Sequence, residues 1–473
     1  MPANSPALEH SLPRRLRLRD LVLTQVLNVV GSSWVGIAGG LGRAQAVTWI
    51  AAMILLYFPM AVAVIYLNRE MPLEGGLYAW ARSAFGDFIG FMTAWNIWVY
   101  AVAMTAGILY AIPTELSYLI GPAAAWLPEN HVAAFLVVAV VTMAIAAGAV
   151  RGLELGKWIH NIGGISLMTV FAVLILLPTW AILHHRPIHY EPLPIQMPQM
   201  TLVSFALFGQ MLFSALVGLE YVAILAGESQ DAARSIGRSV IISSPIICAM
   251  FILGTSSVLA FARGRIDYIA PIPQTLRLAL GHSGFGNVVT IVAIMLLQFR
   301  LIGAANLLFT GATRLPLAAG WDHLIPAWFT RLHPRFRTPT NSIATAWVMV
   351  LLFLLLGNMG VHAQEAYQVV ANAAVTHYEL AYMVLFAIPL LGVRSLRARL
   401  PGWLRWTSIV GFAACLFAFL ISSYPFVEVV NARAYAAKIL GTTLLSNLTG
   451  YLFYRRRTRR MAVSSVTQPA FED

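Results

Sequence analysis

Charge is scarce in this chain. Of its 473 residues only 11% are Asp, Glu, Lys or Arg, against roughly 25% in soluble domains, which excludes a water-soluble enzyme. Cysteine is scarcer still. Cys248 and Cys415 are the only two, each inside an apolar stretch, so neither a disulfide framework nor a CxxC metal or redox centre is available. No GxxxxGK[ST] loop occurs, so nothing in the chain offers a nucleotide cofactor or direct ATP drive. His184, His185 and His189 fall in a Pro-rich connection and read as a solvated loop rather than metal ligands. What fills the chain instead is hydrophobic sequence, 59% of residues with a mean hydropathy of +0.75. This is the composition of a polytopic membrane protein.

A bilayer core of about 30 Å takes about 20 apolar residues per helix. Twelve stretches qualify: 21–41, 45–67, 86–113, 131–150, 155–182, 201–226, 238–262, 287–313, 340–358, 366–391, 404–424 and 434–454. The expected fold is all-α with twelve transmembrane helices. Arg14, Arg15, Arg17 and Arg19 precede the first stretch, and no small-residue cleavage pattern follows it, so residues 1–19 read as a cytoplasmic tail. With that start, 23 of the 31 Lys and Arg residues fall inside, 7 outside, and Arg300 alone is left in a span. The split follows the positive-inside rule and puts both termini in the cytoplasm. It also accounts for the net charge of +12 as topology, so no nucleic-acid partner is expected. The run from Arg455 to Arg460 reads as an anchor on anionic lipid. Residues 314–339, with Trp321, Leu324, Ile325, Trp328 and Phe329, read as a loop carrying a short interfacial helix.

Two apolar stretches are interrupted. The first carries Asn28-Val29-Val30-Gly31-Ser32-Ser33-Trp34 near its middle, and the sixth carries Phe213-Ser214-Ala215-Leu216-Val217-Gly218-Leu219-Glu220. Glycine costs about 1 kcal/mol against alanine inside a helix, and unpaired backbone groups in hydrocarbon cost several kcal/mol each. Such breaks persist where the freed groups meet protein or ligand. Two of them in corresponding halves of a chain point to a transporter's substrate site. A helix-packing face of small residues is the alternative reading of either break alone.

After the second stretch the chain reads Glu70-Met-Pro72-Leu-Glu-Gly75-Gly76-Leu-Tyr78-Ala-Trp80-Ala-Arg82-Ser-Ala-Phe85-Gly86. This resembles the loop signature of the amino acid–polyamine–organocation permeases. Gly31-Ser32-Ser33 is similar to the Gly-Ser-Gly of that family's first helix. Val217-Gly218-Leu219-Glu220 is similar to the Gly-x-acid of its sixth, and Thr313-Arg314 through Thr338-Pro339 to the region behind its eighth. The resemblance runs from about residue 20 to 390. It implies a LeuT-like 5+5 inverted repeat, residues 20–183 and 201–391, with helices 1 and 6 broken, two further helices in 392–455 and a cytoplasmic tail at 456–473. The localisation it implies is the cell inner (plasma) membrane.

For an amino acid substrate, N–H groups of Ser32, Ser33, Trp34 and Val35 would face the carboxylate from a half-helix N-terminus. Carbonyls of Val29, Val30 and Phe213–Leu216 would hold the ammonium. Asn28, Gly31, Ser214 and Gly218 would complete the site, with Phe213 as an aromatic gate. Trp95, Asn96, Trp98, Tyr100 and Met104 of the third helix read first as packing, with one of them able to close the pocket. Glu220, an acid at membrane depth, would serve proton coupling or gating. Arg300 has open alternatives: pairing with Glu220 or Glu379, contacting a substrate carboxylate, or sitting in a vestibule. Two family features are missing. Ser214 and Leu308 stand near where the arginine/agmatine branch has tryptophans, and Ser166-Leu167 stands where several relatives have a helix 5 lysine. A sodium site using Ser166 therefore stays open.

The expected function is secondary amino acid transport by alternating access, as a proton symporter or an exchanger. A polyamine or organocation permease is the alternative, disfavoured by the shortage of intramembrane acids. Readings of another class are a membrane enzyme built on His377 and Glu379, and a sensor that binds without transport. The oligomeric state is left open.

Overall fold

The computed structural model describes residues 18–71, 73, 76–219, 232–262, 265–318, 325–358 and 362–466. Among them there is no strand. The chain opens with two short helices, α1 (Leu18–Val29) and α2 (Ser32–Gly39), bent by 43° at Val30-Gly31. Then come α3 (Gly42–Glu70), α4 (Leu77–Phe85), α5 (Asp87–Ile120), α6 (His131–Arg151) and α7 (Leu153–Leu183). The second half holds α8 (Leu202–Ser214), α9 (Ala232–Phe261), α10 (Pro271–Leu280), α11 (Gly284–Ala318), α12 (Thr340–Asn358), α13 (Ala363–Leu391), α14 (Trp403–Ile421) and α15 (Ala432–Val466).

Nine helices among the described residues are long and apolar enough to cross a membrane, or ten with α1 and α2 taken as one span. The sixth expected stretch is present there as α8, 13 apolar residues, and the twelfth as the less apolar α15. Glu220, Pro72, Glu74, Gly75, Trp321 and Leu324 lie outside the described residues.

The layering follows from what each helix exposes. Along α6 the residues Val132, Leu136, Val140 and Met143 are exposed, while Ala134, Val138, Thr142 and Ile145 are buried. Both faces are apolar, as a helix between protein and lipid requires. The most apolar stretch of α6 is only 22% buried, whereas that of α5 is 94% buried. α5 is therefore the central post, and α11 and α13 pack against it. Polar side chains tie helices together in the interior: Trp49 Nε1 donates to Thr255 Oγ1 at 3.1 Å, and Asn96 Nδ2 to Asn447 Oδ1 at 2.8 Å.

One boundary differs from expectation. The third stretch was expected to stop at Pro113, yet helix continues to Ile120 after a single interruption at Tyr110. The restart places Pro113 in the first turn of the new segment, where a missing N–H costs nothing. The signature segment forms α4 at the end of the bundle where α1 begins. Trp80 Nε1 donates to the Met71 carbonyl at 2.8 Å, and Val393 N–H, just past α13, donates to Ala84 O at 3.3 Å. That end is called proximal below.

Candidate functional site

The two interruptions meet. After Val29 the backbone turns extended at Gly31, with φ −93° and ψ 138°, before α2 restarts at Ser32. α8 widens into a π-turn over Gln210–Ser214, with Ala215 N–H donating to Gln210 O at 3.1 Å, and the chain then leaves helix through Gly218 at φ +114°. Asn28 Nδ2 donates to the Gly218 carbonyl at 3.0 Å, and Gly218 N–H donates to Tyr382 Oη at 3.1 Å. Freed backbone at the second break is thus satisfied by side chains from two other helices, and at the first the Val30 carbonyl accepts from Arg300 Nη2, as an apolar setting demands. A Cβ on Gly218 would sit 2.3 Å from Asn28 Nδ2, so this contact and the positive φ both require glycine.

Beside the breaks lies a cavity of about 40 Å³. Asn28, Gly31, Ser32, Ser33, Trp34, Ser214 and Arg300 line it, together with Tyr100, Met104 and Leu308. Those seven are residues singled out from sequence as site candidates. Val29, Val30, Phe213, Leu216 and Gly218 are buried behind the wall rather than on it. The first turn of α2 leaves its N–H groups without intrahelical partners, and these belong to Ser32, Ser33 and Trp34. Ser33 Oγ and Tyr367 Oη share a hydrogen bond of 2.8 Å. Ser214 Oγ donates to Gln210 Oε1 at 3.0 Å, and Gln210 Nε2 to Asn372 Oδ1 at 2.8 Å.

Among the described residues Arg300 stands on the wall of this cavity. Its Nη2 donates to the Val30 carbonyl at 3.1 Å, and among the described residues its Nε is buried with no hydrogen-bond partner and Glu115 is a charged neighbour. It forms no ion pair with Glu379 among the described residues. Glu115, on the distal segment of α5, accepts from Gln298 Nε2 at 2.8 Å and has the Ser32 hydroxyl beside its carboxyl group. Glu115 and Tyr367 are the site residues that sequence reasoning passed over. Glu115 was hidden by the early end assigned at Pro113; Tyr367 is one of many polar side chains along α13, and no spacing marks it.

Aromatic rings pack against the proximal side of the cavity. Tyr100 stacks on Tyr378 with centroids 3.8 Å apart, and the Phe213 ring packs edge-on to Tyr378 and Tyr382 at 6.4 and 5.2 Å. With the Asn28–Gly218 bond, these rings form a floor. At the other end a larger cavity of about 380 Å³ is lined by Thr114, Tyr118, Asp267, Arg277 and Gln364, among others. It holds none of the break residues, and its Thr114 stands one turn beyond Ala111 of the inner cavity. The His377–Glu379 pair does not converge on a reacting centre. His377 Nδ1 meets Ala373 O at 2.7 Å and its Nε2 meets Ser446 Oγ, so the ring cross-links α13 to α15.

This arrangement has counterparts among known proteins. The chain is 23% identical over 466 residues to an uncharacterised transporter of Legionella pneumophila, covering 94% of this chain and 98% of the other. It is 22% identical to a branched-chain amino acid permease of Bacillus subtilis, covering 96% and 95%. It is 22% identical to an arginine/ornithine antiporter of Pseudomonas aeruginosa, covering 66% and 62%. These relatives point to a transporter rather than an enzyme. With the profile of the amino acid permease family matching residues 21–445, the chain belongs to that family, and so to the amino acid–polyamine–organocation superfamily.

Proposed function

We propose that the protein is a secondary active amino acid transporter of the plasma membrane, working by alternating access as a proton symporter or an exchanger. In this reading α1 with α2, and α8 with the segment after it, are broken spans 1 and 6 of twelve. They face one another across a 5+5 inverted repeat, with α14 and α15 outside it and both termini cytoplasmic. The observation that carries the reading is the Asn28–Gly218 bond beside a polar cavity, which couples the two interruptions directly.

The substrate carboxylate would meet the N–H groups of Ser32, Ser33 and Trp34 and the positive end of α2. The ammonium would meet carbonyls at Phe213–Leu216 and at Val29, since Val30 O already accepts from Arg300. The small cavity and the aromatic floor support a conformation close to occluded, with Phe213 and Tyr378 as the proximal gate. Glu220, beyond the second break, is assigned to gating or coupling from sequence. A permanent cation on the cavity wall disfavours a polyamine. Uptake of labelled amino acids into proteoliposomes, each with and without a pH gradient, tests the reading. Accumulation or exchange of at least one is expected; none for any would overturn it.

A further inference from the structure

A row of buried polar side chains runs from the cavity wall to α14 and α15. Ser214 Oγ donates to Gln210 Oε1 at 3.0 Å, and Gln210 Nε2 donates to Asn372 Oδ1 at 2.8 Å. Asn372 Nδ2 donates to the Ser422 carbonyl at 3.1 Å and to Tyr435 Oη at 2.7 Å. Ser214, Gln210, Asn372 and Tyr435 are all buried. Ser422 follows directly on α14, and Tyr435 belongs to α15.

The far end fixes the direction of every bond in the row. A backbone carbonyl only accepts. Asn372 must therefore turn its amide nitrogen to Ser422 O, which leaves its Oδ1 facing Gln210. Gln210 must answer with its own amide nitrogen, which turns its Oε1 to Ser214. A reversed Gln210 would set two amide oxygens against each other in a dry site and leave both without a donor. Ser214 has a single hydroxyl hydrogen, and it goes to Gln210. What its side chain offers the cavity is lone pairs and no proton. Asn28 reaches the same state by a shorter route. Its Nδ2 is held on the Gly218 carbonyl at 3.0 Å, which fixes the amide and leaves Oδ1 as an acceptor on its other side.

Ser214 and Asn28 both line the cavity, and among the described lining residues there is no carboxylate to meet a cation. Of the carbonyls at the second break, Phe213 O already accepts from the N–H groups of Leu216 and Val217. The wall also carries donors, the first-turn N–H groups of α2 and the Arg300 guanidinium. We propose that Ser214 Oγ and Asn28 Oδ1 accept hydrogen bonds from the substrate's ammonium, and that Gln210 and Asn372 are positioning residues that keep Ser214 an acceptor. An ammonium brings three N–H donors and no acceptor, so only acceptors serve it. A hydroxyl free to rotate would serve a carboxylate and an ammonium alike; one whose hydrogen is committed tells them apart. The Ser422 carbonyl and the Tyr435 hydroxyl thereby give α14 and α15 a part in recognition, although neither helix lines the cavity. This rests on the amino acid transport reading and adds the side chains that recognise the ammonium.

The test uses the full chain in liposomes, with tritiated leucine, arginine and glutamate as probes, and follows whichever the wild type takes up. Each probe has a deamino analogue (isocaproate, δ-guanidinovalerate or glutarate) that keeps the carboxylate and the side chain. Ser214→Ala should raise the KM for the probe by about 10- to 100-fold, the worth of a hydrogen bond to a charged group, and leave half-inhibition by the analogue where it was. Gln210→Met keeps the bulk but returns the hydroxyl hydrogen to Ser214, and should show the same selective loss. Gln210→Glu, protonated in its buried place, donates to Asn372 and accepts from Ser214, and should recover what Gln210→Met loses. An unchanged KM in Ser214→Ala overturns the assignment and passes the ammonium to backbone carbonyls or to Glu220. An equal loss for the amino acid and its analogue marks a structural role and overturns it too, as does a loss in Gln210→Glu as large as in Gln210→Met. If the analogue inhibits too weakly to measure, the contrast between Gln210→Met and Gln210→Glu decides; if Gln210→Met does not fold, Ser214→Ala read against the analogue decides. No uptake of any probe by the wild type overturns the transport reading, and this inference with it.

Discussion

Gly31 is where a single missing side chain determines the shape of the cavity. A Cβ there would lie 2.5 Å from Trp34 Nε1, 2.6 Å from Trp34 Cδ1 and 3.4 Å from Arg300 Nη2. The indole occupies the space that any other residue would claim, and the guanidinium stands just behind it. Gly31→Leu is therefore expected to displace both and bring uptake to background, while the purified protein stays monodisperse because the bundle's packing lies elsewhere. Uptake at the wild-type rate would remove this break from the site. Tyr382 acts at the other break. Tyr382→Phe takes away the acceptor of the Gly218 N–H at 3.1 Å, and a buried donor left unpaired costs about 1–3 kcal/mol. A lower unfolding midpoint in detergent checks this; an unchanged midpoint would mean that the N–H finds another partner.

At the scale of elements, the broken α1–α2 pair gives the cavity its wall, and the aromatic floor gives it one closed end. Phe213 has no exposed surface and holds Tyr378 and Tyr382 edge-on. Phe213→Ala would leave a void where a buried phenyl ring stood, a change that costs about 3–5 kcal/mol in well-packed cores. The expected outcome is a leaky gate: counterflow persists, and gradient-driven accumulation falls. Accumulation at the wild-type level would place the proximal gate elsewhere.

The positions of the breaks were legible in sequence because Gly31-Ser32-Ser33 and Gly218 interrupt apolar runs that have no other use for them. Their mutual bond was not legible, since nothing in local sequence states that Asn28 reaches a carbonyl 190 residues away. Phe213 was placed beside the break correctly but could not be distinguished from a cavity-lining ring, because a π-turn re-aims every side chain in it. Glu115 was missed for a different reason. Pro113 reads as a stop in one dimension and as a permitted first-turn residue once the helix restarts at Ala111.

For the whole molecule, the asymmetry of basic residues is the feature that orients everything else. The topology expected from sequence counts 23 Lys and Arg residues inside and 7 outside, and the larger cavity of about 380 Å³ lies at the distal end of the described bundle. If the positive-inside rule governs, the larger cavity faces the exterior and the aromatic floor faces the cytoplasm. Cysteine labelling can read this directly, because the chain has only Cys248 and Cys415 to remove. His189 is exposed in the connection after α7, and Ser395 is exposed in the short connection between α13 and α14. In a background with both native cysteines replaced by alanine, a membrane-impermeant maleimide added to intact cells should modify His189→Cys and leave Ser395→Cys untouched until the cells are opened. The opposite pattern would turn the molecule over in the membrane. It would make the aromatic floor the outer gate and the larger cavity the cytoplasmic one, and the inside-positive count of Lys and Arg would then run against the rule that assigned it.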